Sequence, residues 1–242
     1  MDTKGIRFAA LYSVGCPELR GMGCEKEIRD FLLNPEPDLP TFTRVAFILG
    51  KLEPFFFYQL IALINDVDDV FSKKVVRAYW LSDSLLHPLT KNDVRRTMFL
   101  VLGKFSFDPH NVHKVIIKAH GLIGAKPWHN ADVIYILAAV KNAPIPETLL
   151  VNANNCLVTA GRVIGVDESE IDIETFGVIQ RKSGKICFVN LSKGVNRGFV
   201  KDVKTGDYVS VHLGIAREKI TQKEAEILSQ ATKETVDFFQ GG

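Results

Sequence analysis

Four cysteines are too few to staple a chain of 242 residues. Cys16 and Cys24 stand eight positions apart, and Cys156 and Cys187 thirty-one. Neither spacing is that of a zinc finger. Charge of one sign is equally scarce. Thirty basic side chains face 28 acidic ones, a formal net charge of +2, so no strong field draws a polyanion and nucleic acid is not an expected partner. Long hydrophobic runs are also missing. Val45–Leu49 and Pro54–Ile64 are interrupted by Gly50, Lys51, Glu53 and Gln59, too short for membrane insertion. The first residues, Met1 to Arg7, carry no apolar stretch ahead of a small-residue cleavage site. The setting expected from these absences is reducing and cytoplasmic. There is no glycine-rich phosphate loop with its lysine, no HExxH and no nucleophile elbow. Nothing supports a hydrolase or kinase, and the chain reads as a protein that is not an enzyme.

What is present changes period along the chain. Phe71, Val75, Val76, Tyr79 and Trp80 recur at helical spacing within Val70–Leu86. Thr90 with Asp93 forms a shortened capping box ahead of Val94, Met98, Val101 and Leu102. Asp108-Pro109 opens another helix, with Val112, Val115, Ile116, Ala119 and Leu122 as its apolar stripe. Asn130 starts a further helix through Lys141. The early aromatics Phe42, Phe47, Phe55, Phe56, Phe57 and Tyr58 read as packing between helices. Pro144 and Pro146 mark a joint. The expected organisation is α+β: an all-α domain over residues 1–150, with a proline-containing linker near 142–154, then a small β-barrel with a C-terminal helix over 155–242.

After Cys156 the period becomes two. Ile171-Asp172-Ile173-Glu174 alternates cleanly, and Lys182-Ser183-Gly184 separates two strand-like runs as a hairpin turn. Residues 202–207 form a second turn leading into Tyr208–Leu213. Several short strands in such a length favour a closed barrel, which removes sheet edges. Thr221 with Glu224 is a capping box, and Ala225, Leu228, Thr232 and Thr235 give one face of a final helix.

Cys156 is the leading candidate for chemistry, since a thiolate is a nucleophile and a soft-metal ligand. Asn154 and Asn155 beside it suggest a loop mouth at the barrel entrance. His212 shares a strand face with Tyr208 and Ser210, opposite Val209 and Val211, which places its imidazole to support a thiolate or ligand, or on a solvated sheet face. Cys187, opposite in facing to Ile186 and Phe188, is a further thiol for pairing with Cys156 across the barrel. No fourth ligand for a closed zinc site is visible, so a stoichiometric structural metal is not expected. His110, His113 and His120 read as surface or helix-end histidines, and Cys16 and Cys24 flank a structural bend.

Residues 155–240 resemble the HypC/HupF/HybG family of [NiFe]-hydrogenase maturation chaperones. The resemblance rests on Asn155-Cys156-Leu157-Val158-Thr159-Ala160-Gly161-Arg162-Val163, on Ile171–Gly177, and on Gly206-Asp207-Tyr208-Val209, Val211-His212 and Gly214-Ile215-Ala216, followed by the acidic segment Glu218–Phe239. It implies an OB-like barrel with a C-terminal helix. It also implies a chaperone that binds a HypD-like scaffold protein and the hydrogenase large-subunit precursor, and handles an Fe(CN)2CO unit transiently. By resemblance Cys156 takes the ligand and client contact, as a transient iron ligand, and His212 the histidine role. Asn155, Gly161, Gly214 and Cys187 are read as supporting residues. The resemblance does not reach the helical domain, which is expected to add a second client surface or a homodimer surface. Two departures stand out. Cys156 is internal, where the family presents an N-terminal cysteine, and Ala160 replaces the motif proline. They motivate an alternative: a structural or regulatory protein-interaction adaptor that retains the barrel but has lost the iron chemistry. RNA binding by the barrel is a third reading, disfavoured by the balanced charge.

Overall fold

A computed structural model describes residues 2–82, 84–86, 90–93, 126–139 and 144–240. They divide into two compact units, Met1–Trp128 and His129–Gly242.

The described part of the first unit is helical: α1 Thr3–Ser13, α2 Pro17–Gly21, α3 Glu25–Leu33, α4 Leu39–Leu49, α5 Glu53–Ile64, α6 Lys73–Leu81 and a 3-10 turn at Ser84–Leu86. Local chemistry sets the helix starts. The Asp2 carboxylate accepts from the Lys4 and Gly5 amides, and that of Asp38 from Thr41. Pro17, Pro40 and Pro54 occupy first turns, where a missing N–H costs nothing. α6 spans the middle of the stretch expected to be helical and stops at Ser82, which is left-handed. Its Tyr79 and Trp80 pack with Tyr12, Phe57 and Tyr58. The Trp80 indole donates to the Tyr58 hydroxyl at 2.6 Å, and burial holds the Tyr58 phenol well above its ordinary value. Of the early aromatics, Phe57 and Tyr58 are core, whereas Phe47 is 57% exposed beneath the Lys51 ammonium. Cys16 and Cys24 stand at the N-cap positions of α2 and α3, neither with a side-chain capping bond. The Thr90–Asp93 capping box forms, with hydrogen bonds in both directions. The helix it was expected to open, the Asp108-Pro109 helix, and His110, His113 and His120 lie outside the described residues. No single described helix is long and apolar enough to cross a membrane.

The second unit begins with α7 His129–Ala139 and α8 Glu147–Cys156, followed by β1 Thr159–Val166, β2 Glu170–Gln180, β3 Ile186–Asn196, β4 Tyr208–His212 and β5 Ile215–Ile220, and ends with α9 Gln222–Gln240. The strands close a barrel in the order β1-β2-β3-β5-β4. β2 and β3 pair antiparallel from Glu170↔Asn196 to Gln180↔Ile186, joined by the Lys182–Gly184 turn, with Gly184 at φ +80°. β3 meets β5 in parallel at Asn196↔Ile215. Val163, Ile171, Ile173, Val195, Val209, Val211 and Ala216 fill the interior, the inward half of the period-two pattern. Each fully buried Val or Ile contributes about 1.5–3 kcal/mol.

The stretch expected to be a linker is mostly α8. Pro146 accepts the Leu149 and Leu150 amides and starts the helix. α8 and α7 then share a core with the barrel and α9: Val133, Ile134, Leu137, Ala153, Leu157, Val178, Ile186 and Val236. These helices place the start of the barrel-containing unit at His129, ahead of the boundary expected near residue 150. The Thr221–Glu224 capping box is present, with the Thr221 amide donating to Glu224 at 2.7 Å and the Glu224 amide to Thr221 Oγ1 at 3.2 Å. α9 buries Ala225, Leu228, Thr232 and Val236.

Candidate functional site

Cys156 is the last residue of α8, rather than the mouth of a loop or the start of a strand. Asparagine argues against a helix by intrinsic propensity, but the Asn154 side chain is held by a tertiary partner. Asn154 Oδ1 accepts from the Val178 amide at 2.8 Å, and its Nδ2 donates to the Val178 carbonyl at 2.8 Å. The side-chain amide thus acts as a short piece of strand against β2. Leu157 leaves the helix in an extended conformation, its amide donating to Ala153.

A second amide clamp follows the thiol. The buried Asn130 side chain accepts from the Val158 amide at 2.8 Å and donates to the Val158 carbonyl at 2.8 Å and to Thr232 Oγ1 at 3.0 Å. Cys156 therefore sits between Asn154, whose side chain is bonded to β2, and Val158, whose peptide groups are bonded by α7.

Asn130 also delivers its neighbour. His129, at the N-terminus of α7, lies with Nε2 2.7 Å from the Cys156 carbonyl oxygen and 3.7 Å from Cys156 Sγ. The first contact is a hydrogen bond donated by Nε2–H. The His129 ring meets the His212 ring edge to face, with centroids 5.0 Å apart.

His212 ends β4 and is fully buried. The solvated-face alternative fails, because α7 sets His129 against the imidazole and Ser210 on the same strand face is buried as well. A tight turn fixes its position. Leu213 and Gly214 have φ of +54° and +71° between the paired His212 and Ile215, as a two-residue hairpin with both central residues left-handed requires. The Leu213 amide donates to the Asn155 carbonyl at 2.8 Å, tying this turn directly to the Cys156 segment. Buried Arg217 donates to the His212 carbonyl through Nε at 3.2 Å and Nη2 at 3.0 Å.

His129, Cys156 and His212 thus offer one sulfur and two nitrogen donors, all within 4.8 Å of one another. Both histidines are at most 9% exposed, and the thiol is half-buried. The supporting residues expected from sequence divide. Asn155 contributes through its carbonyl, and Gly214 through its turn. Gly161 serves the barrel: a Cβ there would lie 2.6 Å from Ile173 Cδ1. Cys187 pairs with Ile179 in the β2–β3 ladder, no disulfide joins it to Cys156, and it is not in the donor cluster. His129 was missed because it lies 27 positions before Cys156 in a segment read only as a helix start. No spacing rule links it to the thiol.

A helical unit followed by a unit in which a five-stranded barrel and three helices bring a thiol close to two imidazoles defines the architecture. The chain belongs to a family of unknown function, DUF6390, which it matches over residues 53–241. It is also similar to the hydrogenase maturation factor HypC of Rhizobium leguminosarum bv. viciae, 38% identical over 56 residues, 23% of this chain and 75% of that protein. Similarity to HypC of Azotobacter chroococcum mcd 1 is 35% over 48 residues, 20% of this chain and 57% of that protein. The matched part therefore spans just over half of the second relative. No solved structure matches.

Proposed function

We propose that this protein is a non-catalytic accessory factor in metalloenzyme maturation, acting in [NiFe]-hydrogenase assembly. The observation that carries the reading is the conjunction of HypC similarity with a half-buried thiol within ligand-sharing distance of a buried imidazole. Cys156 contacts the client or scaffold protein and transiently holds an Fe(CN)2CO unit, and His212 supports the thiolate. The strand order β1-β2-β3-β5-β4 with its parallel β3–β5 contact supports an OB-like barrel as the framework. The partners are a hydrogenase large-subunit precursor and a HypD-like scaffold protein. The helical unit supplies a second client surface or a homodimer surface.

One feature favours the adaptor as a second reading. Asn154 and Asn130 clamp the chain on both sides of Cys156, so the thiol cannot enter a partner on a loose tail. Anaerobic affinity purification of the wild type beside Cys156→Ala separates the two. Recovery of a hydrogenase precursor that depends on the thiol is expected. Unchanged recovery of every partner with Cys156→Ala removes the thiol from complex formation and leaves the adaptor.

A further inference from the structure

We propose that His129, Cys156 and His212 together form a three-ligand site for one late first-row divalent cation of the zinc class, with one coordination position open. The donors come from three separate places in the second unit: the start of α7, the end of α8 and the end of β4. Metal–sulfur and metal–nitrogen bonds of about 2.3 and 2.05 Å place tetrahedral donors roughly 3.3–3.6 Å apart. The Cys156 Sγ–His129 Nε2 separation of 3.7 Å is already near that value, and every pair lies within 4.8 Å. Rotations that move the imidazole nitrogens by about 1 Å complete the approach. The set is thiolate and imidazole with no carboxylate, which selects against magnesium and calcium and suits zinc, cobalt, nickel or iron in the divalent state.

The surroundings are those of a built site. Asn130, the residue after His129, bonds through its side chain to both peptide groups of Val158, two residues after Cys156. The Asn155 carbonyl holds the turn that follows His212, and Arg217 holds the His212 carbonyl. These contacts set the spacing of the ligands without occupying them, the role outer residues play in metal sites. Access runs past Cys156, the least buried of the three. Binding through His129 Nε2 requires the ring to give up its bond to the Cys156 carbonyl and carry its proton on Nδ1. Binding through sulfur sends the thiol proton to solvent. The cation stays divalent throughout. With three protein ligands instead of the four of a closed structural site, the ion exchanges, and the open position faces a small ligand or a partner's donor.

This inference concerns the protein alone and does not depend on the hydrogenase reading. The test is titration of the metal-stripped full chain with Co(II) under anaerobic conditions. One equivalent is expected to give a thiolate-to-cobalt charge-transfer band with intense tetrahedral visible bands, both displaced by Zn(II). Cys156→Ser removes the charge-transfer band. His129→Gln or His212→Gln weakens binding by more than about tenfold, because loss of even an outer-shell partner typically costs 10- to 100-fold. Circular dichroism checks each fold. Should His129→Gln not fold, His129→Cys replaces a nitrogen by a second sulfur and is expected to intensify the charge-transfer band. Absence of a saturable band in the wild type, or wild-type affinity in His129→Gln, overturns the site whatever partners the protein recovers.

Discussion

Asn130→Ala is the perturbation whose magnitude the structure sets most clearly. The amide makes three buried hydrogen bonds: two to the peptide groups of Val158 and one to Thr232. Thr232 keeps its bond to the Leu228 carbonyl, so its loss is minor. Val158 is fully buried, and its N–H and C=O each lose this partner. An orphaned buried backbone group costs about 1–3 kcal/mol, so a loss of roughly 2–6 kcal/mol is expected from two such groups. Urea unfolding followed by far-ultraviolet circular dichroism measures it. Tryptophan fluorescence does not serve, since Trp80 and Trp128 both belong to the first unit. Hydrogen exchange at the Val158 amide gives the local counterpart: a 3 kcal/mol loss raises it by about 100-fold. A stability change below about 1 kcal/mol, with Val158 exchange unaltered, refutes the clamp as the element that positions Cys156 against His129.

Gly177→Ala is expected to destabilise the second unit by about 1–3 kcal/mol in urea, because its Cβ would stand 2.7 Å from Asn154 Oδ1 and 2.8 Å from Leu191 Cδ2. Gly214→Ala meets no neighbour and carries only the left-handed backbone cost of about 1–2 kcal/mol, whereas Gly214→Asn is expected to lose less in the same measurement. Thr221→Ala removes the cap of α9 and is expected to cost about 1 kcal/mol. A hydrogen bond from Lys219, the Lys204 amide and the two nearby ammonium charges hold the Asp207 carboxyl below its ordinary value. The stability this contributes is present above the unfolded-state pKa of 3.8 and lost as pH falls through the lower folded value. Asp207→Asn is therefore expected to flatten the acid limb of a stability–pH curve, and an unchanged limb counts against the pair.

Much of the barrel is legible in the residues. Ile171-Asp172-Ile173-Glu174, the Lys182–Gly184 turn and the Thr221–Glu224 box each act locally, so period and turn chemistry report them directly. The aspartate of Gly206-Asp207-Tyr208-Val209 is explained by its bond to Lys219 at 2.7 Å. The site is less legible, for three physical reasons. α8 is rich in asparagine, and the bonds of Asn154 to β2 and the packing of Ala153, Leu149 and Leu150 are tertiary contacts that intrinsic propensity does not register. His212 alternates correctly along β4, but alternation tells which residues share a face and not what covers that face. Here α7 covers it. His129 reaches the thiol through a fold-level contact, and a histidine at a helix start carries no local mark of that contact.

The central claim is that Cys156 is the contact through which this protein serves metal-centre assembly. Infrared spectroscopy of the complex purified anaerobically with the wild-type chain tests it most directly, with Cys156→Ala prepared in parallel. The account predicts cyanide and carbon monoxide stretching bands in the wild-type preparation and their loss in the variant. A hydrogenase precursor recovered equally with both chains, carrying no such bands in either, contradicts it and leaves a barrel adaptor without iron chemistry.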